Sequence, residues 1–138
     1  MSAGQTLECR VYFEDTDAGG VVYHSNYLNF YERGRTEFLR TLGFEQDELL
    51  QQNIVFVVRN ITVDFKQAAR FNELLLVESH IKRLKKVSLI FDQAIYSQRG
   101  EDKVLINQAE VKVGCVSADQ FVPVAIPEQI TRKLSNYE

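Results

Sequence analysis

Only one stretch of this chain carries a sustained helical period, and that single helix constrains the fold most. From Ser25 to Leu42, residues Tyr27, Phe30, Tyr31, Gly34, Phe38 and Leu42 recur at spacings of three and four and form one apolar stripe. Such a helix is about 27 Å long at the standard rise. Glu32, Arg33, Arg35 and Glu37 lie mostly off the stripe, with Arg33 and Glu37 at a spacing that suits an ion pair. Most of the remaining chain alternates with a period of two. Leu7–Glu14 reads as a strand with Leu7, Cys9, Val11 and Phe13 on one face, and Ile54–Lys66, Glu73–Arg83, Val87–Ser97 and Val104–Val116 read as four more. Gly43 fits a helix C-terminus ahead of a short helix at Glu45–Gln52, and Gly100 marks a hairpin. Pro123 and Pro127 fall in the tail, where they interrupt no strand.

The expected class is α+β, with one long helix against a five-stranded antiparallel sheet. One helix covers one sheet face and leaves strand edges open, so a lone copy is expected to pair with another. The 138 residues suit a single domain spanning 1–138. A net charge of −3 gives no basic field for nucleic acid. No apolar run approaches the roughly 20 residues needed to cross a bilayer, so no integral membrane segment is expected. The start, MSAGQTLECR, lacks a signal-peptide core, which points to the cytoplasm. Cys9 and Cys115 are far apart in strand-like runs, and no clustered metal ligands appear. No metal or other cofactor is expected.

Chemistry concentrates in Arg10–Arg35, RVYFEDTDAGGVVYHSNYLNFYERGR. Asp17 stands in a glycine-containing turn, DTDAGG, seven residues before His24 and just ahead of the helix start. A helix N-terminus offers unpaired N–H groups and positive partial charge, which suit a polarised carbonyl. A nearby carboxylate can attack that carbonyl or activate water. The same residues also permit a plain structural reading: an Asx turn at Asp15, Thr16 and Asp17, and a cap from His24 or Ser25. Asp15, two residues earlier, is the rival carboxylate and is expected to have a structural role. Tyr23, Tyr27 and Tyr31 fit either an acyl pocket or the core.

Arg10-Val11, Thr16-Asp17, Gly20-Val21-Val22, His24 and Tyr27 together resemble the signature of the 4-hydroxybenzoyl-CoA thioesterase family. The longer string EDTDAGGVVYHSNYLNFYERGRTEFLR resembles its Tol-Pal-associated acyl-CoA thioesterase branch. The resemblance implies a hotdog fold, in which the sheet wraps the long helix, and dimers that join their sheets, often paired into tetramers. It implies hydrolysis of acyl-CoA, with short aliphatic acyl groups the usual substrate of this branch. Asp17 takes the place of the catalytic carboxylate, as nucleophile or general base. The N–H at or beside His24 takes that of the carbonyl-binding donor, with the His24 side chain a further candidate. Tyr23 and Tyr27 are candidate substrate contacts.

The run Lys82-Arg83-Leu84-Lys85-Lys86 reads as a solvated turn or as a cationic rim for coenzyme A phosphates, with Lys85, Lys86 and Ser88 the candidates. His80 reads as a packed or solvated strand residue. Acyl carrier protein is a further candidate partner, and peripheral association with the inner membrane a further candidate location. Two other functions are compatible with such a fold: a non-catalytic acyl thioester or carrier-protein binding module of the cell envelope, and a hotdog hydratase or dehydratase. The latter needs a differently placed histidine with an acidic partner, a pattern this sequence lacks.

Overall fold

A computed structural model describes residues 4–138; Met1–Ala3, the start of the segment read as lacking a signal sequence, lie outside the described residues. The strands are β1 (Gln5–Arg10), β2 (Ile54–Phe65), β3 (Leu74–Leu84), β4 (Ser88–Arg99) and β5 (Asp102–Ser117). The helices are α1 (Asn26–Thr41), α2 (Gln46–Gln51) and α3 (Glu128–Leu134). All five strands form one antiparallel sheet in the order β1-β3-β4-β5-β2. This is the hotdog arrangement expected from the resemblance, and the tail adds α3, which the sequence reading left unassigned.

The sheet's buried face is built by alternation. Leu75, Val77 and Ile81 of β3, Leu89, Phe91 and Ile95 of β4, and Ile106, Val111 and Val113 of β5 are all buried. Against them α1 buries Tyr27, Phe30, Tyr31, Gly34, Phe38 and Leu39. Gly34 sets the separation. A Cβ there would stand 2.9 Å from Val77 Cγ1, 3.0 Å from Ser79 Oγ and 3.1 Å from Gln93 Nε2. The absence of a side chain therefore lets the helix backbone lie directly on β3 and β4.

A polar network runs between helix and sheet. Gln93 Nε2–H donates to Tyr31 O at 3.0 Å and Ser79 Oγ at 2.8 Å, Arg35 donates to Gln93 Oε1 at 3.0 Å, and the Tyr31 hydroxyl donates to Asn107 Oδ1. Burial pushes the Tyr31 phenol well above its ordinary pKa.

Three local expectations change. The first strand stops at Arg10, and Phe13–Asp15 forms a 3-10 turn. That turn rotates Phe13 off the face it would share with Val11, leaving it 80% exposed, edge-on to Phe71 at 6.0 Å. Arg33 does not pair with Glu37: Arg40 takes that carboxylate at 3.0 Å, while the Arg33 guanidinium lies 5.5 Å from the Phe30 ring centroid. Arg35 is buried rather than off the stripe.

β1 and β2 are the edges, and β2 is long. It carries a bulge between Val58 and Asn60 and exposes Val58 and Phe65. No described helix is long and apolar enough to cross a membrane.

Candidate active site

The Asp17 turn is a small hairpin tied down at both ends. Asp17 N–H donates to Val21 O at 2.9 Å, Gly20 N–H donates to Asp17 O at 3.1 Å, and Thr16 bridges Val22. Gly20 has φ +80°, a left-handed conformation that a glycine adopts without strain. The hairpin is then stapled to the loop before β3. Val22 N–H donates to Ala69 O at 2.9 Å, and Phe71 N–H donates to Gly20 O at 3.3 Å.

Two carboxylates in this turn have opposite surroundings. Asp15 is 5% exposed; its Oδ2 accepts Tyr12 N–H and its Oδ1 accepts the Asn26 amide, each at 2.8 Å. It joins the turn to the first residue of α1, the structural role expected of it. Asp17 is exposed, and its carboxylate accepts a single protein hydrogen bond, from Gly19 N–H at 2.8 Å. The Asx turn is therefore present, and it leaves Oδ2 unengaged.

The N-terminus of α1 lies immediately beyond. Ser25 occupies the cap position without a side-chain cap bond, His24 supplies none either, and the first turn holds no acidic residue. The backbone N–H groups of His24 and Ser25 have no acceptor among the described residues. Asn26 N–H and Leu28 N–H are already engaged, by Tyr23 O at 2.8 Å and Ser25 O at 3.1 Å, so the free donors are those of His24 and Ser25, beside the positive end of the helix, where an anion or a developing oxyanion would find them.

An open cleft lies against this helix end, lined by Val22, His24, Tyr27, Phe65, Lys66 and Gln67. The His24 ring is exposed and leans on Tyr23 at 4.5 Å between centroids. Tyr23 is half exposed, and neither it nor Asp17 is among the residues that line the cleft. Tyr27 is buried, its hydroxyl accepting Ala69 N–H at 3.0 Å and its ring 5.9 Å from Phe65. Burial pushes the Tyr27 phenol above its ordinary pKa; the Ala69 bond opposes the rise, and the Glu73 and Asp17 carboxylates add to it.

Behind the cleft, the loop is held by a clamp. Arg99 Nε–H donates to Glu73 Oε2 at 2.6 Å and Arg99 Nη2–H to Ala68 O at 2.8 Å, while Arg70 N–H donates to Glu73 Oε1 at 2.7 Å. Burial disfavours the charged form of Glu73, but the Arg99 and Arg70 bonds win and hold its carboxyl below the usual range.

Lys85 and Lys86 are exposed in the β3–β4 turn, where Lys85 N–H donates to Ser88 O at 2.8 Å. Ser88 is buried at the start of β4. Within one chain this turn is not brought to the cleft. The Asp17 hairpin meets β3 near its first residue, and the 11 residues of β3 separate the two by about 35 Å. His80 is half-buried on β3, opposite Asp92. Lys66 and Phe65, read in sequence only as the end of a strand, line the cleft; nothing in the alternation distinguishes them. Among the described residues no cluster of His, Cys, Asp or Glu could hold a metal ion.

Comparison with known proteins adds four likenesses. The family model of the thioesterase-like superfamily matches residues 11–134. An acyl-CoA thioesterase, YbgC, of Haemophilus influenzae is 43% identical over 131 residues, covering 94% of this chain and 93% of that protein. The crystal structure of a probable thioesterase from Bartonella henselae is 35% identical with a TM-score of 0.81, over 91% of this chain and all of that one. A 4-hydroxybenzoyl-CoA thioesterase variant crystallised with 4-hydroxybenzoyl-CoA superposes at a TM-score of 0.86 over 94% of this chain and 96% of its own. At 18% identity it speaks for the fold alone.

Proposed function

This chain belongs to the thioesterase-like superfamily, and from that membership we propose that it hydrolyses acyl-CoA to a carboxylic acid and free coenzyme A. What supports the reading is one juxtaposition: an exposed carboxylate with an unengaged oxygen, Asp17, in a rigid turn beside an uncapped helix N-terminus. The thioester carbonyl sits against the N–H groups at His24 and Ser25. As general base, Asp17 takes a proton from water while the water oxygen bonds to the carbonyl carbon. The resulting oxyanion is held by the helix-end donors. The C–S bond then breaks, and the sulfur leaves as the thiol with the proton. As nucleophile, Asp17 itself bonds to the carbonyl carbon, expels the thiolate, and the mixed anhydride is hydrolysed by water.

The His24 imidazole, exposed at the cleft, is assigned to hydrogen bonding or proton transfer at the sulfur, and Tyr23 and Tyr27 to the acyl side. Lys85, Lys86 and Ser88 are assigned to coenzyme A phosphates bound by the neighbouring copy, because their own cleft is a strand length away. That assignment requires a dimer joined at sheet edges, and a pair of such dimers gives a tetramer. The preferred substrate is a short aliphatic acyl-CoA, and acyl carrier protein is a second acyl donor. The protein works in the cytoplasm, with peripheral attachment at the inner membrane and a link to the Tol-Pal machinery as extensions of the same reading.

Thiol release by wild type and Asp17→Asn tests the chemistry. Near wild-type release by the variant overturns the assignment. A single turnover in 18O-labelled water reports on the role: label retained in Asp17 with unlabelled product identifies a nucleophile whose anhydride is opened at the Asp17 carbonyl, while label in the product fits a general base or an anhydride opened at the acyl carbon.

A further inference from the structure

Burying a guanidinium is costly unless its charge and donors are met. Arg35 is 8% exposed, and its one protein hydrogen bond runs to Gln93 Oε1 at 3.0 Å. Among the described residues it forms no ion pair. Glu32, one turn earlier, acts on it only through space, so burial pulls its pKa below the ordinary value. An arginine nonetheless stays protonated. The side chain lines a cavity of about 100 Å³ between α1 and the sheet, walled mainly by Phe56, Leu89, Phe91, Val113 and Leu134. On its rim Gln46 Nε2–H donates to Thr36 Oγ1 at 3.2 Å, so these two polar neighbours are engaged with each other, and Glu32, exposed to solvent and forming no ion pair with Arg35, is the one carboxylate that lines the cavity.

A buried guanidinium with no ion pair, in a recess with mainly apolar walls and a single carboxylate at its solvent side, suits an anion with an apolar body. We infer that this cavity binds a small carboxylate on a short apolar chain, with the acid end on Arg35. The volume equals about three water-sized groups, which suits an acid of three to five carbons. The site is separate from the cleft at the N-terminus of α1, with which it shares no lining residue. Arg35 lies eleven positions after His24, about 16 Å along α1, so a short acyl group held at the helix N-terminus does not reach it. The inference therefore does not rest on the proposed hydrolysis.

Thermal unfolding of the full chain in increasing butyrate tests it, against butyramide at equal concentration and sodium chloride at equal ionic strength. Butyrate is expected to raise Tm saturably, and neither control to do so. Arg35→Met keeps the apolar stem and is expected to lose the response. Val58→Trp narrows the cavity from its exposed margin and is expected to weaken the response with Arg35 intact, so a folding defect in the first variant does not obscure the result. An equal response to butyramide, or a full butyrate response in both variants, overturns the inference. Thiol release from dodecanoyl-CoA and dodecanedioyl-CoA separates a free acid from the far end of a long acyl substrate. Equal rates support the free acid, and a diacid preference lost in Arg35→Met overturns the separate site.

Discussion

Asp15 and Asp17, two residues apart, are expected to respond in opposite ways to the same substitution. Asp15→Asn replaces one acceptor oxygen by an NH2 group facing a donor, either Tyr12 N–H or the Asn26 amide. Turning the Asn26 amide to compensate would break its bond from Asn29 at 2.8 Å. One unmet buried donor costs about 1–3 kcal/mol, or a fall in Tm of roughly 3–10 °C for a chain of this size. Asp17→Asn keeps the oxygen that accepts Gly19 N–H and sits in solvent, so its stability should change by about 0.5 kcal/mol or less. Its kcat should fall about 10²–10⁴-fold, the usual weight of a positioned acid–base group, equal to roughly 3–5 kcal/mol of barrier. Calorimetry and thiol release, measured well below either Tm, give the two axes. Asp15→Asn should lose stability and keep kcat within about tenfold. An inactive, fully stable Asp15→Asn beside an active Asp17→Asn would refute the reasoning by reversing the roles.

Three further outcomes follow from the geometry. Glu73→Gln should lower Tm at pH 7 by removing the charged clamp on the cleft loop, at a cost of about 1.5–3 kcal/mol. Because the folded Glu73 carboxyl is held below its usual value, its contribution is present above the unfolded pKa and is lost as pH falls through the folded one. The gap between wild type and variant in a pH series of melts should therefore close below about pH 4, and a gap constant down to pH 2 would contradict the clamp. Tyr27→Phe strips the acceptor from the buried Ala69 N–H and should cost about 1–2 kcal/mol in urea unfolding. Gly34→Ala gains about 1 kcal/mol of helix propensity but drives a methyl into Val77, Ser79 and Gln93, so a net loss of about 1–2 kcal/mol is expected from the same titration.

Periodicity carried most of the fold into view because each strand and α1 bury one face. Leu75, Val77 and Ile81, or Tyr27, Phe30 and Phe38, are legible as faces without knowing what they pack against. The reading fails where a local bond interrupts the period. Phe13 alternates with Val11 in sequence, but Tyr12 N–H bonding to Asp15 closes a 3-10 turn and ends β1. Arg35 fails differently: its burial depends on Gln93, 58 residues away, and no local pattern encodes that partner. At the candidate site, the turn, the helix start and the buried tie at Asp15 were all readable locally, because they are built from contacts within Tyr12–Asn26. The cleft's other wall, Phe65 to Gln67, arrives from β2 through pairing of Phe65 with Asn107 and bonds from Lys66 and Gln67 to Ile106. The same logic explains the lysines. A basic turn is plain in the sequence, but its distance from the Asp17 hairpin is set by the length of β3. A neighbouring copy of the chain could shorten that distance. Any phosphate contact by Lys85 or Lys86 at an Asp17 cleft is thus a prediction about assembly: a variant that stays monomeric through charge placed on the β2 edge should lose affinity for acyl-CoA while its Asp17 hairpin remains folded.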